Sequence, residues 1–485
     1  MIHNVLLVYP PIDPEYYMKG ANDSPPLGLV VLQNYVKRHL GLDTEIDIID
    51  GEYYSMTEII QLIESKKYSM IGLQSMMASY NNSLFLLEIA KKNDLITFMG
   101  GHHATQLCDA ILLNRNSIVD YIIQGDGEEA FAALVQDEPI ESIPNLAYYK
   151  DGEVKHNFQR NVPLEYGIID YIEPKVFEQY YRDIGRDLER TEKLISFRSY
   201  SHKGCSNRSN SQYCFFCGIA DRGVRFKKPA DYVRELHYLS TLPNVKYIFE
   251  IGDDFLQDED WLNQVVQLLE VNPIPEHVHL KIFARANRIT ESIIPILRKL
   301  NVDEVAIGFE SGSQKILDNI NKRATPQDNL DAAKLLFSSG IDTIASFVLG
   351  LPGETEETLQ ETYDAAMAVK ELALKYLHKN PQEIIANIIE INPGAPAFRK
   401  LARFMPEKYN GKDKLDLYET QNDYFKMEFN LKTDDEVAEF RRKLVKWGNK
   451  INNLGNYTYP AGFKSEEVLQ DNEHEESENR YSKSS

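Results

Sequence analysis

A chain of 485 residues exceeds what one hydrophobic core normally serves, so two or three domains are expected. With 43% hydrophobic and 26% charged residues the composition is that of a globular protein, and no apolar run approaches the about 18 residues a membrane-crossing helix needs. The net charge of −21 argues against nucleic-acid phosphate or an anionic membrane as the main partner, and four cysteines in the whole chain exclude a disulfide framework.

The chain opens Met1-Ile2-His3-Asn4 and runs straight into an apolar stretch at 5–9. That stretch is too short for a secretion signal and lacks a basic lead, so a cytoplasmic location is expected. Across residues 1–135, short apolar strands at 5–9, 45–49, 70–74, 96–99 and 121–124 alternate with amphipathic segments, which predicts an α/β domain with a doubly wound parallel sheet. Such sheets bind ligands beyond the carboxyl ends of their strands. Those ends carry Pro25-Pro26-Leu27-Gly28, Gln74-Ser75, Gly100-Gly101-His102-His103-Ala104-Thr105 and Gly125-Asp126-Gly127-Glu128. Glycines there let the backbone approach a ligand closely.

Residues 136–193 break this rhythm and read as a polar, tyrosine-rich connector. Within it Asp151-Gly152 predicts a hairpin turn between strands at 146–150 and 153–156. Alternation resumes over 194–395, with strands at 194–198, 247–251, 279–284, 304–309, 343–349 and 384–391. Six such units predict a partial barrel, since a closed eight-unit barrel needs more chain. Thr325-Pro326 starts one of its helices and Gly340 ends it. Residues 396–463 read as a helical C-terminal region, and the acidic tail at 464–485 has the composition of a disordered segment.

Three of the four cysteines fall within thirteen residues, in Lys203-Gly204-Cys205-Ser-Asn-Arg-Ser-Asn-Ser-Gln-Tyr-Cys214-Phe-Phe-Cys217. Soft thiolates on one loop after a predicted strand suit an iron–sulfur cluster or zinc. Structural zinc takes four ligands, and His202 is the available fourth. Three ligands instead leave one iron of a [4Fe-4S] cluster open, as a catalytic cluster requires. Cys108, in the first domain, reads as a buried small hydrophobe.

The cysteine segment resembles the radical S-adenosylmethionine superfamily, whose usual signature is C-x3-C-x2-C with an aromatic before the last cysteine, the place Phe216 fills. Phe249-Glu-Ile-Gly-Asp253-Asp254-Phe255, Gly308-Phe309-Glu310-Ser311-Gly312-Ser313 and Phe347-Val-Leu-Gly350-Leu-Pro352-Gly353-Glu354-Thr355 extend the likeness. The Gly100–Thr105 and Gly125–Glu128 segments resemble the subgroup with a cobalamin-binding domain in particular. Eight residues separate Cys205 from Cys214 where the family has three, and the extra polar stretch is expected to bulge outward.

The resemblance implies that Cys205, Cys214 and Cys217 hold a [4Fe-4S] cluster whose fourth iron takes S-adenosylmethionine. It places Glu310 and Ser311 at the ribose, Arg285 at the cofactor carboxylate, Asp253 at cofactor or substrate, and Phe347 against adenine. Ion pairing for Glu310 and Arg285, helix capping for one of Asp253 and Asp254, and barrel core for Phe347 are the alternatives. Gln74, Ser75, Gly100, Gly101, His102, His103, Gly125, Gly127 and Glu128 are placed around cobalamin, with exposed loop positions for the two histidines and a domain of this fold without cobalamin as the alternatives. The D-x-H-x-x-G motif of other cobalamin proteins is absent, so no protein histidine is expected on cobalt.

The implied reaction is cobalamin-dependent methyl transfer to an unactivated carbon or phosphorus of a small-molecule or peptide substrate, with electrons from a flavodoxin or ferredoxin. Cyclisation, rearrangement or oxidation with the same cofactors is the alternative, and a non-catalytic cobalamin-binding protein a further one.

Overall fold

The computed structural model describes residues 4–13, 25–40, 44–159, 169–183, 195–208, 213–219, 223–242, 245–381 and 383–456. The acidic tail predicted at 464–485 lies outside the described residues.

Among the described residues fifteen strands follow in chain order: β1 (Val5–Tyr9), β2 (Ile46–Asp50), β3 (Met70–Gln74), β4 (Ile96–Gly100), β5 (Tyr121–Ile123), β6 (Leu146–Lys150), β7 (Glu153–His156), β8 (Ile195–Ser199), β9 (His202–Lys203), β10 (Arg225–Phe226), β11 (Val245–Glu250), β12 (His279–Ala284), β13 (Val302–Glu310), β14 (Asp342–Leu349) and β15 (Glu383–Ile388). The predicted strands lie within three residues of these bounds at either end, the usual slack of strand limits.

The N-terminal sheet runs β2-β1-β3-β4-β5-β6-β7. Its first five strands are parallel. Val5, Leu6, Leu7 and Val8 are all fully buried, as a strand covered by helices on both faces demands. The hairpin assigned to the connector belongs to this sheet, because β6 pairs antiparallel with β5 and β7 with β6. Leu146 and Ala147 of β6 are buried there and cover the open edge of the short β5.

The second sheet runs β15-β14-β13-β12-β11-β8, with every neighbouring pair parallel. Among the described residues no further strand pairs with β15 or β8, as in a six-strand partial barrel. Side chains alternate across it: on β14, Thr343, Ala345, Phe347 and Leu349 are buried, while Ile344, Ser346 and Val348 on the other face are half-buried. The helix Pro326–Ser338 starts on a reciprocal cap, with Thr325 Oγ1 accepting from Asp328 N at 3.0 Å and the Asp328 carboxylate accepting from Thr325 N at 2.7 Å.

The C-terminal region is helical over Pro396–Phe404, Pro406–Tyr409, Leu417–Phe429 and Asp434–Asn452. Asn452 covers the open edge of β15, its side chain bonding Ala386 N at 2.6 Å and Ala386 O at 3.4 Å. The same region reaches the N-terminal domain through buried Asp413. Its carboxylate accepts from Tyr80 Oη at 2.9 Å and Arg115 Nε at 2.6 Å, and Gly411 O accepts from Asn114 at 2.7 Å. No helix among the described residues is long and apolar enough to cross a membrane.

Candidate active site

The carboxyl ends of the two sheets enclose a cavity of about 410 Å³. Gly28, Gln74, Gly100, Gly101, His102 and the Gly125–Glu128 loop line it from the N-terminal domain. Tyr200, His202, Lys203, Ile219, Gly252 and Asp253 line it from the barrel side. Gly101 has φ +91°, and a Cβ there would stand 3.1 Å from Ser75 O. Gln74 Oε1 and Ser75 Oγ are buried without a hydrogen-bond partner among the described residues. A glycine floor beside orphaned polar atoms fits a ligand with an amide rim such as cobalamin.

Of the two consecutive histidines only His102 lines the cavity. His103 is buried on the other side of its helix, donating from Nε2 to Asp413 O at 3.2 Å with its ring 4.5 Å from that of Tyr80. Burial drives its pKa down to about 4. Placing it at cobalamin is therefore corrected: it docks the C-terminal region.

Glu128 also has another partner. Lys203 Nζ lies 2.8 Å from Glu128 Oε1 and 3.1 Å from Asp126 Oδ1, and Arg225 pairs with Asp126 as well. Burial alone would raise the Asp126 carboxyl, but Lys203 and Arg225 outweigh it and hold the group below its ordinary range. These four charges latch the glycine loop to the β9–β10 ribbon, two residues ahead of Cys205. Lys203, Arg225 and Asp126 were not singled out from sequence, where nothing marks them as partners.

The protein itself positions the cysteine loop. Gln257 accepts from Ser206 N at 2.8 Å and donates to Gly204 O at 3.0 Å, and Phe215 N donates to Ile320 O at 2.9 Å. Cys205 and Cys214 are buried, Cys217 is half-buried, and all three are free thiols. Of the stretch expected to bulge outward, Ser206–Arg208 forms a tight turn that buries Asn207 and Arg208, and residues 209–212 lie outside the described residues. Asn207 Nδ2 lies 3.1 Å from Cys214 Sγ and Arg208 Nη1 lies 3.6 Å from Cys217 Sγ, while Arg208 Nε is a buried donor with no partner among the described residues. Spare donors around three thiols suit a group that carries further sulfur acceptors, as a [4Fe-4S] cluster does.

Zinc fits less well. His202 accepts from Asp254 N at Nε2, 3.3 Å away, so Nδ1 carries the proton and donates to Ser201 Oγ at 2.8 Å. Both nitrogens are engaged, and burial lowers the pKa of this neutral ring to about 4. Among the described residues, the set of ligand atoms gathered within 4.8 Å as a single ion needs is Cys108, Asp109 and His156, on another face of the N-terminal domain.

Gly204 has φ +96°, and a Cβ on it would stand 1.9 Å from Gly223 O. Gly204→Ala is therefore expected to displace Cys205 and cut cluster loading by more than half in a folded protein. Iron and sulfide assays beside a far-ultraviolet spectrum check this, and full loading would show that the loop tolerates the shift.

Beneath the cavity wall Glu250 is fully buried, accepting from Ser201 N at 2.7 Å, Ser201 Oγ at 3.0 Å and Gly252 N at 3.1 Å. Burial pushes it up to about 7. Glu310 ends β13 in a left-handed conformation, φ +61°, and pairs with Lys322 Nζ at 2.7 Å. Arg285 donates to Lys322 O, and its backbone N faces Asp254 Oδ1 at 3.4 Å. Asp253 pairs with Arg208. Glu310, Arg285 and Asp253 thus gather near the cysteine loop, each engaged with a neighbour.

Two further placements are corrected. Ser311 is fully buried, sharing a hydrogen bond of 2.9 Å with Thr362 and accepting from Ser313 N at 3.1 Å, so it shapes the turn after β13. Phe347 is fully buried edge-on to Phe309, 5.7 Å between centroids, on the covered face of β14. It is core, and the opposite face of β14 carries Ser346 and Val348.

Residues 200–366 match the Radical SAM superfamily, and residues 18–135 match the B12 binding domain. A protein of Pyrococcus horikoshii described as an uncharacterized methyltransferase is 25% identical over 386 residues, 77% of this chain and 79% of the relative. The anaerobic magnesium-protoporphyrin IX monomethyl ester cyclase of Rubrivivax gelatinosus is 26% identical over 374 residues, 73% of this chain and 64% of that protein. Among solved structures OxsB, a cobalamin-dependent S-adenosylmethionine radical enzyme, superposes with a TM-score of 0.68 at 15% identity, covering 93% of this chain and 72% of that one. The radical S-adenosylmethionine methyltransferase TsrM from Kitasatospora setae gives 0.65 at 16% identity, with 82% and 76% covered. At these identities the structural likeness concerns the fold.

Proposed function

This chain is a radical S-adenosylmethionine enzyme with a B12 binding domain ahead of its barrel, and on that premise we propose that it transfers a methyl group to an unactivated carbon or phosphorus centre. Its cofactors are a [4Fe-4S] cluster, S-adenosylmethionine and cobalamin. Together these supply one-electron cleavage of a sulfonium and a carrier for methyl.

The observation that carries the reading is a cavity bounded by the glycine loops on one side and, on the other, by Lys203 and Ile219, the residues that flank the cysteine loop. A substrate held there meets both centres without diffusing, a positioning gain that a short-lived radical requires. In this reading Cys205, Cys214 and Cys217 hold the cluster. Glu310, Arg285 and Lys322 hold S-adenosylmethionine by charge and hydrogen bonding. Gln74, Ser75, Gly100, Gly101, His102, Gly125 and Gly127 form the cobalamin wall, and the half-buried latch through Asp126 ties that wall to the barrel side. The substrate is a small molecule or peptide, and a flavodoxin or ferredoxin supplies the electrons. The name of the Pyrococcus horikoshii relative supports methyl transfer.

With S-adenosylmethionine labelled in its methyl group, the product is expected to carry the label. 5′-Deoxyadenosine and S-adenosylhomocysteine are then expected in about equal amounts, since two cofactor roles operate per turnover. The Rubrivivax gelatinosus relative favours a second reading, radical cyclisation, rearrangement or oxidation. Product formed with 5′-deoxyadenosine but without S-adenosylhomocysteine selects that reading and ends the first.

A further inference from the structure

We propose that Asn207 and Arg208, the start of the long stretch between Cys205 and Cys214, raise the reduction potential of the cluster by presenting N–H groups and positive charge to its sulfur atoms. The inference rests on the cluster reading above and assigns these two side chains a role in tuning it.

The turn Ser206–Arg208 is polar and lies in a loop, yet Asn207 is 6% and Arg208 7% exposed. Burying a guanidinium is unfavourable unless its donors and charge are met. Asp253 meets only part of that demand, through Nη2. Nη1 points at Cys217 Sγ from 3.6 Å, and Nε has no oxygen partner among the described residues. Asn207 Nδ2 approaches Cys214 Sγ to 3.1 Å, within the range of an N–H···S hydrogen bond. Four features hold this arrangement: the Gln257 bonds to Gly204 and Ser206, the Arg288 bond to Ser206 Oγ at 3.1 Å, the Asp253 pair and the burial itself.

The step concerned is uptake of one electron by the cluster from an external low-potential donor, a reduced flavodoxin, ferredoxin or dithionite, with no proton transferred. The cluster and its thiolates become more negative by one charge. Donors and a fixed cation stabilise that reduced state more than the oxidised one, and in a largely buried site solvent screens the effect only weakly. Asp253 acts as a positioning residue here, orienting the guanidinium.

The test uses the full chain, reconstituted anaerobically, with the midpoint read by electron paramagnetic resonance during a redox titration without S-adenosylmethionine. Arg208→Gln is expected to shift the reduction equilibrium about tenfold toward the oxidised cluster, a fall of about 59 mV for a one-electron couple. Asn207→Ala is expected to shift it in the same direction by roughly threefold, and Arg208→Lys to lie between wild type and Arg208→Gln. A purely structural role would lower thermal stability or iron loading and leave the midpoint of the loaded cluster where it was. Arg208→Gln and Asn207→Ala proteins that load four irons and keep the wild-type midpoint overturn the proposal. Should Arg208→Gln not load, the Asn207→Ala midpoint decides alone: a fall supports the proposal and no change overturns it. A wild-type protein with no four-iron cluster overturns the cluster reading itself, and the proposal with it.

Discussion

Replacing Cys205, Cys214 and Cys217 together by alanine is expected to give a folded protein that binds almost no iron and forms no 5′-deoxyadenosine under dithionite. Folding survives because the loop is fixed by groups other than its thiols: Gln257 on Gly204 and Ser206, and Phe215 tied to Ile320 and Ala397 by backbone bonds of 2.9 Å each. Each truncation removes one sulfur from a tight site, costing on the order of 1 kcal/mol. Chemistry does not survive, because thiolates are the ligands that iron–sulfur clusters require. The contrast is Cys108→Ala. Cys108 is 4% exposed and its thiol is pushed up to about 12, first by burial and then by Asp109, so it stays protonated and inert. That variant is expected to keep about four irons per chain. Iron and acid-labile sulfide, assayed beside 5′-deoxyadenosine, decide the matter. Iron retained by the triple variant, or stoichiometric zinc without sulfide in anaerobic wild type, would remove the cluster assignment.

The strands were readable because most are short apolar runs flanked by turn residues. Met70–Gln74 and His279–Ala284 fall where the pattern sets them. The hairpin at Asp151-Gly152 was equally readable, but its sheet was not. Nothing local tells β6 whether to pair with β5 or stand alone, and the choice is made by burial of Leu146 and Ala147 against the rest of the fold. The cysteines were legible as a cluster of ligands, whereas Asn207 and Arg208 beside them looked like exposed loop.

The remaining misplacements share one cause, the choice between two faces. His102 and His103 are adjacent on a helix and point about 100° apart, so only one can face the cavity. Which one is set by Asp413, 310 residues away from His103. On β14 both faces carry apolar residues, so parity could not be assigned, and Phe347 went to the wrong side; Ser346 was the available hint. Glu128 sits in a glycine loop suited to a ligand, but its charge is claimed by Lys203 from the other domain. Contacts between domains are the least legible layer of a sequence, because no periodicity records them.

The domain seam therefore supports the second large prediction, made at Asp126. Asp126 is the carboxylate shared by Arg225, whose side chain is 6% exposed, and Lys203. Removing one partner of a buried pair costs about 3–5 kcal/mol, because the remaining charge stays desolvated. Asp126→Ala is expected to lose near the lower end of that range, since the carboxylate is itself 23% exposed. The loss should be concentrated in docking of the glycine loop onto the β9–β10 ribbon. Cobalamin retention on a desalting column is then expected to fall at least tenfold, because Gly125, Gly127 and Lys203 wall the same cavity. The pH dependence has a definite sign. Arg225 and Lys203 hold the Asp126 carboxyl below its ordinary range against the opposing effect of burial, so the pair's stabilisation is complete above the unfolded pKa of about 3.9. It is lost as pH falls through the lower folded value. Wild type is expected to unlatch only below about pH 4, while Asp126→Ala is weak at neutral pH and has a flatter acid limb. Denaturant melts at pH 7 and at pH 4, with cobalamin retention measured at pH 7, test both parts. An Asp126→Ala protein with wild-type melting and full cobalamin retention at pH 7 would show that the two sheets are held together by the Asp413 contacts and by Gln106, which donates to Gly218 O at 3.2 Å.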